Sequence, residues 1–316
     1  MEYLILVLAL AGIVFGADTL VAGSVAVARR YKVSDFVIGA AIVGIGTSMP
    51  ELTVSFLGAL QGNAEVAIGN VVGSNIFNIL GILGITAIFF PIAVTKENIR
   101  FEIPVCIAVS VLLTALVFLS GSPTISRADG IILLLVFAGF MWYSFYRDRK
   151  INHLQQPSEQ TAEKPSTPLW LSILKIIGGL GVLIVSCDIF VDDAVKIARQ
   201  LGLDDAFISI TLIACGTSLP ELAASIAAAV KKNTQLALGN IVGSNIFNIG
   251  LILGLSAQVT PLSSSAITPV DYVVMIGAAV LPLLLGLKGK IGRLGGVLML
   301  GSFVAYTWYL LSMQLS

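Results

Sequence analysis

The chain has 316 residues and no net charge, and 57% of its residues are hydrophobic while only 11% are charged. Soluble globular domains carry about 25% charged residues, and the mean hydropathy here is as high as +0.97. This composition excludes an ordinary soluble domain. Apolar runs recur along the whole chain, and a run of about 20 residues is long enough to cross the hydrocarbon as a helix. The sequence therefore predicts an all-α polytopic membrane protein.

Hydropathy, with breaks at charged and Gly/Pro-rich points, predicts ten transmembrane helices. The first apolar run follows Met1 and Glu2 directly and has no basic segment before it, so we interpret it as a spanning helix and not as a signal peptide. The long polar stretch 147–168 contains three prolines and predicts a cytoplasmic loop between the halves 1–146 and 169–316. The ten predicted spans are 3–27, 36–60, 65–90, 101–120, 128–146, 169–194, 205–230, 235–260, 270–287 and 294–313.

Basic residues are distributed unevenly between the two sides of the predicted membrane domain. The segments after spans one, three, five, seven and nine carry fourteen Lys and Arg, whereas the opposite side carries only three. Cytoplasmic loops are the ones enriched in Lys and Arg. The distribution predicts a protein of the cell (inner) membrane with both termini on the extracellular or periplasmic side.

The chain contains the same unit twice, at an offset of 170 residues. "GTSMPEL" at 46–52 returns as "GTSLPEL" at 216–222, and "AIGNVVGSNIFNILGILG" at 67–84 returns as "ALGNIVGSNIFNIGLILG" at 237–254. Five spans per copy is an odd number, so the second copy enters the membrane in the opposite orientation. Two inverted five-helix repeats are typical of secondary transporters, which bind substrate at the midplane and give alternating access to it.

Each "GTSxPEL" motif places a Pro and a Glu at bilayer depth. A carboxylate there is costly and indicates function, so Glu51 and Glu221 are the leading candidate ligands. Pro50 and Pro220 remove an N–H and open the helix. Backbone carbonyls near 44–47 and 214–217 are then free to turn toward a ligand, which membrane proteins tolerate where the backbone lines a polar cavity.

The candidate ligands are all oxygen atoms. Two carboxylates suit hard cations such as Ca²⁺, which takes six to eight oxygens at about 2.3–2.6 Å, whereas soft metals prefer sulfur or nitrogen. Two negative charges balance one Ca²⁺ or two Na⁺, so competition for them would make exchange obligatory. No cofactor is expected besides the transported ions. The hydroxyl and amide side chains in the motifs are Thr47, Thr217, Ser48, Ser218, Ser74, Ser244, Asn78 and Asn248.

Other functions find less support in the residues. The chain has one His, at 153 in the polar loop, and no HExxH or other hydrolase arrangement, so we do not expect an enzyme. A channel could use a ring of Glu, but one duplicated chain with inverted halves favours a carrier. Nothing indicates nucleic-acid binding or an obligate protein partner. Asp18 and Asp188 repeat within spans one and six, and a gating role and a helix-packing role both stay open for them.

The paired "GTSxPEL" and "GNxxGSNxxN" motifs resemble those of the sodium/calcium exchanger branch of the cation/calcium antiporter superfamily, over essentially the whole chain. The resemblance implies ten helices, exchange of extracellular Na⁺ for Ca²⁺, and gating by spans one and six. It also implies a prokaryotic, core-only member, since the loop 147–168 is too short for a Ca²⁺-sensing domain. The proton-coupled exchangers usually have a GNxxEL pattern instead, and a Ca²⁺/H⁺ antiporter is the alternative.

Carried over to this sequence, the resemblance implies a role for each motif residue. Glu51 and Glu221 would be central ligands, Ser74 and Ser244 would line outer Na⁺ positions, and an Asn rather than Asp at 248 argues against K⁺ co-transport. Further oxygens would come from Thr47, Thr217, Ser48 and Ser218, from Asn78 and Asn248, and from the carbonyls of Gly44 and Ala214.

Overall fold

The protein is helical in the computed structural model, which describes residues 2–119, 123–154, 168–200, 214–265 and 267–314. Twelve helices occur in these ranges. They are α1 (Glu2–Tyr31), α2 (Asp35–Thr47), α3 (Met49–Leu60), α4 (Ala64–Phe89), α5 (Asn98–Leu119), α6 (Arg127–Leu154), α7 (Leu169–Gln200), α8 (Ala214–Gly216), α9 (Leu219–Val230), α10 (Thr234–Val259), α11 (Pro269–Gly286) and α12 (Arg293–Gln314).

Eight of the described helices are long and apolar enough to cross a membrane, and α2 with α3 would make a ninth as one broken span. This confirms the predicted all-helical membrane class. The predicted seventh span, 205–230, lies partly outside the described residues. Its described part contains α9, a shorter apolar helix of 12 residues.

The end of α6 differs from the prediction of a loop from residue 147 onward. The helix continues to Leu154, and the remainder of the predicted loop up to 167 lies outside the described residues. Arg147, Arg149 and Lys150 in the extension are good helix formers, and Asp148 accepts a hydrogen bond from the backbone N–H of Ser34 at 2.7 Å. A helix of 28 residues is about 42 Å long at 1.5 Å per residue, so its charged end extends beyond the hydrocarbon.

Several spans contain π-helical turns, in which the backbone hydrogen bond reaches one residue further than in an α-helix. These turns are uncommon and often mark functional sites. Two of them lie at equivalent places in the two repeats, at Phe77–Leu83 in α4 and Asn248–Leu253 in α10. Each contains or begins at the last Asn of the "GNxxGSNxxN" motif.

The chain divides into two compact units. The first unit comprises residues 1–47 and 138–240, and its long helices α1 and α7 pack along each other. A side chain at Gly16 would place its Cβ 2.6 Å from the backbone N of Leu183, and one at Gly179 would place it 2.6 Å from that of Leu20. Only glycine permits this approach of the two backbones.

The second unit comprises residues 48–137 and 241–316. Two short antiparallel ladders join its helix ends: β1 (Ile92–Ala93) pairs with β4 (Lys290–Ile291), and β2 (Thr124–Ile125) pairs with β3 (Leu262–Ser263). The strands β1 and β3 are equivalent in the two repeats. They are two residues each, too short for an alternating pattern to predict them.

Local structure repeats at the same 170-residue offset as the sequence. The helices α3 and α9 each have 12 residues and each ends in a turn with one left-handed residue, Gly62 (φ 80°) or Lys232 (φ 60°). In both turns the next residue donates its N–H back into the helix at 2.9 Å, from Asn63 to Gly58 and from Asn233 to Ala228.

Candidate cation-binding site

The two "GTSxPEL" motifs break their helices as predicted. Ser48 (φ −83°, ψ 11°) precedes α3, and Ser218 (φ −92°, ψ 7°) precedes α9; both lie in the bridge region, which is sparsely populated and common at active sites. Pro50 and Pro220 are each the second residue of the following helix. Since proline has no N–H, it cannot bond the carbonyl four residues earlier.

Glu51 and Glu221 lie in the first turns of α3 and α9, and neither has solvent-exposed surface. The N-terminus of a helix carries partial positive charge and favours a carboxylate there. Burial of a carboxylate is costly unless it is compensated. The position of each Glu therefore combines a helix end that favours the ionised carboxylate with a buried location, where a bound cation would compensate the negative charge.

The backbone of each Glu is held by an asparagine of the neighbouring helix. Nδ2 of Asn70 donates to the carbonyl of Glu51 at 3.2 Å and to Oγ of Ser55 at 3.0 Å. The equivalent Asn240 donates to the carbonyl of Glu221 at 3.2 Å and to Oγ of Ser225 at 2.9 Å. The two repeats thus build the same support, one in each unit.

Within the first unit, residues from both motifs meet. The hydroxyl of Thr47, at the end of α2, lies 3.2 Å from Oδ1 of Asn240 and 3.0 Å from the carbonyl of Val43, so it can donate to either. Asn240 in turn holds the backbone of Glu221. One buried chain of polar contacts therefore links the first "GTSxPEL" motif to the acidic residue of the second.

Within the second unit, four asparagines form a reciprocal network between α4 and α10. Nδ2 of Asn75 donates to the carbonyl of Asn245 at 3.2 Å, and Nδ2 of Asn245 donates to the carbonyl of Asn75 at 3.0 Å. Nδ2 of Asn78 donates to Oδ1 of Asn245 at 3.0 Å, and Nδ2 of Asn248 donates to Oδ1 of Asn75 at 3.1 Å. Contacts that run from i to j and from j to i are the pattern of a two-fold axis.

This network leaves two acceptors open. Oδ1 of Asn78 and Oδ1 of Asn248 are buried and have no hydrogen-bond partner among the residues that the structure describes. Most buried polar atoms in proteins do have a partner. Both residues belong to π-helical turns, and α3, which carries Glu51, packs against the turn that begins at Asn248.

The twelve predicted site residues are divided equally between the two units. Ten of them are buried in the protein interior. Thr217 is partly buried, and its Oγ1 has no hydrogen-bond partner within the described ranges. Ala214 begins α8, but its side chain lies outside the described residues. The first unit holds Gly44, Thr47, Ala214, Thr217, Ser218 and Glu221; the second holds Ser48, Glu51, Ser74, Asn78, Ser244 and Asn248.

Sequence reasoning missed the residues that hold these ligands in place. Asn70 and Asn75 lie inside the quoted "GNVVGSNIFN" motif and recur in the second copy, so the duplication already contained the signal. The sequence analysis named Ser74 and Asn78 from the same motif but neither of these asparagines. The supporting set is Asn70, Asn240, Asn75, Asn245, Ser55 and Ser225.

Comparison with known proteins extends the similarity over the whole chain. A family model described as sodium/calcium exchanger protein matches residues 1–146 and 171–312. The chain is 35% identical to the inner membrane protein YrbG of Escherichia coli (strain K12), covering 96% of this chain and 94% of YrbG. It is 30% identical to the sodium/calcium exchanger MaX1 of Methanosarcina acetivorans, covering 96% of this chain and 97% of MaX1.

The fold agrees with these sequence matches. A solved structure of the sodium-calcium exchanger NCX_Mj is similar to this chain with a TM-score of 0.82 at 32% identity, covering 98% of each chain. The similarity is too extensive in length and sequence to reflect the helical class alone. The chain belongs to the sodium/calcium exchanger protein family and is a multi-span membrane transporter.

Proposed function

We propose that the chain exchanges Na⁺ for Ca²⁺ by alternating access around one all-oxygen cation site. The observation that carries the proposal is the pair of buried amide oxygens, on Asn78 and Asn248, which the asparagine network leaves open. An oxygen acceptor with no donor nearby is suited to a hard cation. The relatives MaX1 and NCX_Mj, named as sodium/calcium exchangers, support the choice of ions.

The buried Glu51 and Glu221 supply the negative charge in this proposal. Two carboxylates neutralise one Ca²⁺ or two Na⁺, so the two ions compete and each must leave before the other binds. The remaining ligands are neutral oxygens, which lets one site accept ions of different charge. Hydroxyl oxygens come from Thr47, Thr217, Ser48, Ser218, Ser74 and Ser244, and backbone carbonyl oxygens from Gly44 and Ala214.

The proposed architecture has ten transmembrane helices as two inverted repeats, with both termini on the extracellular or periplasmic side of the inner membrane. The 170-residue duplication, the repeated turns after α3 and α9 and the uneven Lys and Arg distribution support it. Fusing a reporter that is active only outside the cytoplasm to the C-terminus tests the orientation. An active fusion is expected, and an inactive one would reverse the topology.

The transport activity is tested with the purified protein in liposomes. Vesicles loaded with Na⁺, K⁺ or buffer of a different pH are diluted into radioactive Ca²⁺, and uptake is followed over time. We expect uptake only with the outward Na⁺ gradient. Uptake driven by a pH gradient and indifferent to Na⁺ would instead establish a Ca²⁺/H⁺ antiporter.

Variants of the acidic residues test the site itself. Glu51→Gln and Glu221→Gln each remove one of the two proposed charges, so we expect both to abolish Na⁺-driven Ca²⁺ uptake. The matched control is Glu65→Gln, which removes an exposed carboxylate at the start of α4 that accepts hydrogen bonds from Ser263 and Ser265. Normal uptake by either site variant would refute the assignment.

A further inference from the structure

We propose that Asn75 and Asn245 are positioning residues that fix which end of the Asn78 and Asn248 amides faces the transported cation. The inference rests on the proposed function, in which these two amides are ligands. A side-chain amide has an oxygen acceptor and an NH₂ donor of nearly the same shape. Only the oxygen can bind a cation, so a free amide that turns over would present the wrong atom.

The crossed hydrogen bonds hold each ligand amide by its NH₂ end. Nδ2 of Asn78 donates to Oδ1 of Asn245, and Nδ2 of Asn248 donates to Oδ1 of Asn75. If either ligand amide turned over, its oxygen would face the oxygen of its partner, and the donor would be lost. The acceptor from the opposite repeat therefore selects one orientation.

The positioning amides are themselves fixed. Nδ2 of Asn75 and Nδ2 of Asn245 donate to each other's backbone carbonyls, which are acceptors only. Turning either amide over would place its oxygen against a carbonyl oxygen. Asn75 is 1% exposed and Asn245 is 2% exposed, so bulk water does not compensate for a lost hydrogen bond. Four bonds thus determine the orientation of four amides.

The proposal makes a prediction about a carboxylate at position 78, which has two oxygens and no NH₂ end. The Asn245→Ala variant leaves the Asn78 amide free to turn over, so we expect it to raise the half-saturating Ca²⁺ concentration at least tenfold. In an Asn78→Asp background the same change should have no such effect. It should even lower the half-saturating concentration, because Oδ1 of Asn245 would face a carboxylate oxygen there.

The experiment is this double-mutant cycle, measured as Na⁺-driven Ca²⁺ uptake in liposomes for four proteins: the parent, Asn245→Ala, Asn78→Asp and the combination. A tenfold effect confined to the parent background supports positioning. An equal effect of Asn245→Ala in both backgrounds would mean a merely structural role and would overturn the proposal.

The equivalent cycle with Asn75→Ala and Asn248→Asp provides the second measurement if one variant fails to fold. Asn78→Ala separates the two levels of the argument. A wild-type half-saturating Ca²⁺ concentration in Asn78→Ala would remove Asn78 from the proposed ligand set. If the half-saturating Ca²⁺ concentration is raised in Asn78→Ala but unchanged in Asn245→Ala, Asn78 stays in the proposed ligand set and only the positioning role of Asn245 is overturned.

Discussion

Lys231 and Asp18 form an ion pair between the end of α9 and the middle of α1. Nζ of Lys231 lies 2.6 Å from Oδ1 of Asp18 and also donates to its backbone carbonyl at 2.9 Å. The position equivalent to Lys231 in the first repeat is Gln61, and the one equivalent to Asp18 is Asp188. Because Gln61 is uncharged, the duplication does not provide the same ion pair a second time.

The ion pair attaches α1 to the helix that carries Glu221, and the family resemblance implies that the span formed by α1 has a gating role. A pair with both side chains partly exposed is worth about 0.2–1 kcal/mol, which corresponds to a factor of about 1.4 to 5 in a rate. We therefore expect Lys231→Gln to raise the initial rate of Na⁺-driven Ca²⁺ uptake by up to about fivefold. Asp18→Asn should have a smaller effect, since it keeps the bond to the backbone carbonyl.

Lys232→Gln is the control, because it removes the same charge one residue further along the turn. An equal rate increase in Lys232→Gln would attribute the effect to the general charge of this surface. In the double variant of Asp18→Asn and Lys231→Gln, the effects of the two substitutions on the uptake rate should not be additive, because both substitutions remove the same interaction. Additive rates would contradict the coupling.

Thr47 and Thr217 occupy equivalent positions but differ in their contacts. The Thr47 hydroxyl reaches Asn240, whereas Oγ1 of Thr217 has no hydrogen-bond partner in the part of the chain that the structure describes. Thr47→Val leaves a buried acceptor without its donor, which costs about 1–3 kcal/mol. Thr217→Val should leave the free energy of unfolding almost unchanged. Both should weaken Ca²⁺ binding, because both remove a proposed ligand.

Thermal unfolding of the detergent-solubilised variants without Ca²⁺ measures the first difference, and titration with Ca²⁺ measures the second. A loss of thermal stability in Thr217→Val as large as in Thr47→Val would show that the hydroxyl of Thr217 has a structural partner. A wild-type Ca²⁺ affinity in either variant would remove that hydroxyl from the proposed ligand set.

The features that the sequence could predict are those encoded by local chemistry. The Pro after each "GTS" predicts a helix break, and the breaks at Ser48 and Ser218 confirm it. A Glu within an apolar run predicts a buried functional carboxylate, and Glu51 and Glu221 are buried. Eight of the ten predicted spans coincide with described helices that are long and apolar enough to cross a membrane, because apolar length is the property that a spanning helix needs.

The contacts between helices could not be predicted in the same way. An apolar stripe shows which side of a helix faces the core. In α10, however, 94% of the apolar segment is buried, as is typical of a helix that is hydrophobic on every side. The hydropathy pattern of α10 therefore does not determine how the helix is rotated about its own axis. For this reason the sequence does not predict the pairing of Asn245 with Asn75 and Asn78. The ion pair of Lys231 with Asp18 joins residues 213 positions apart and depends on how α9 and α1 pack.

Gly239 and Gly69 occupy the same place in the two copies of the motif, and only one of them lies against a neighbouring backbone. A Cβ at Gly239 would overlap the carbonyl oxygen of Phe36 in α2, whereas a Cβ at Gly69 would be in ordinary contact with Ile267, at 3.5 Å. Gly239→Ala should push α2 away from α10. Since Thr47 is on α2 and Asn240 follows Gly239, their 3.2 Å contact should lengthen with it.

We expect Gly239→Ala to lower the free energy of unfolding by about 1–3 kcal/mol, as overpacked variants do, and to reduce Na⁺-driven Ca²⁺ uptake at least tenfold. Gly69→Ala is the matched control and should be neutral or stabilising by about 0.5–1 kcal/mol, because Ala favours a helix interior over Gly. Thermal unfolding and uptake are measured for both. If Gly239→Ala behaved like Gly69→Ala, the close approach of α2 to α10 would not be what holds Thr47 against Asn240.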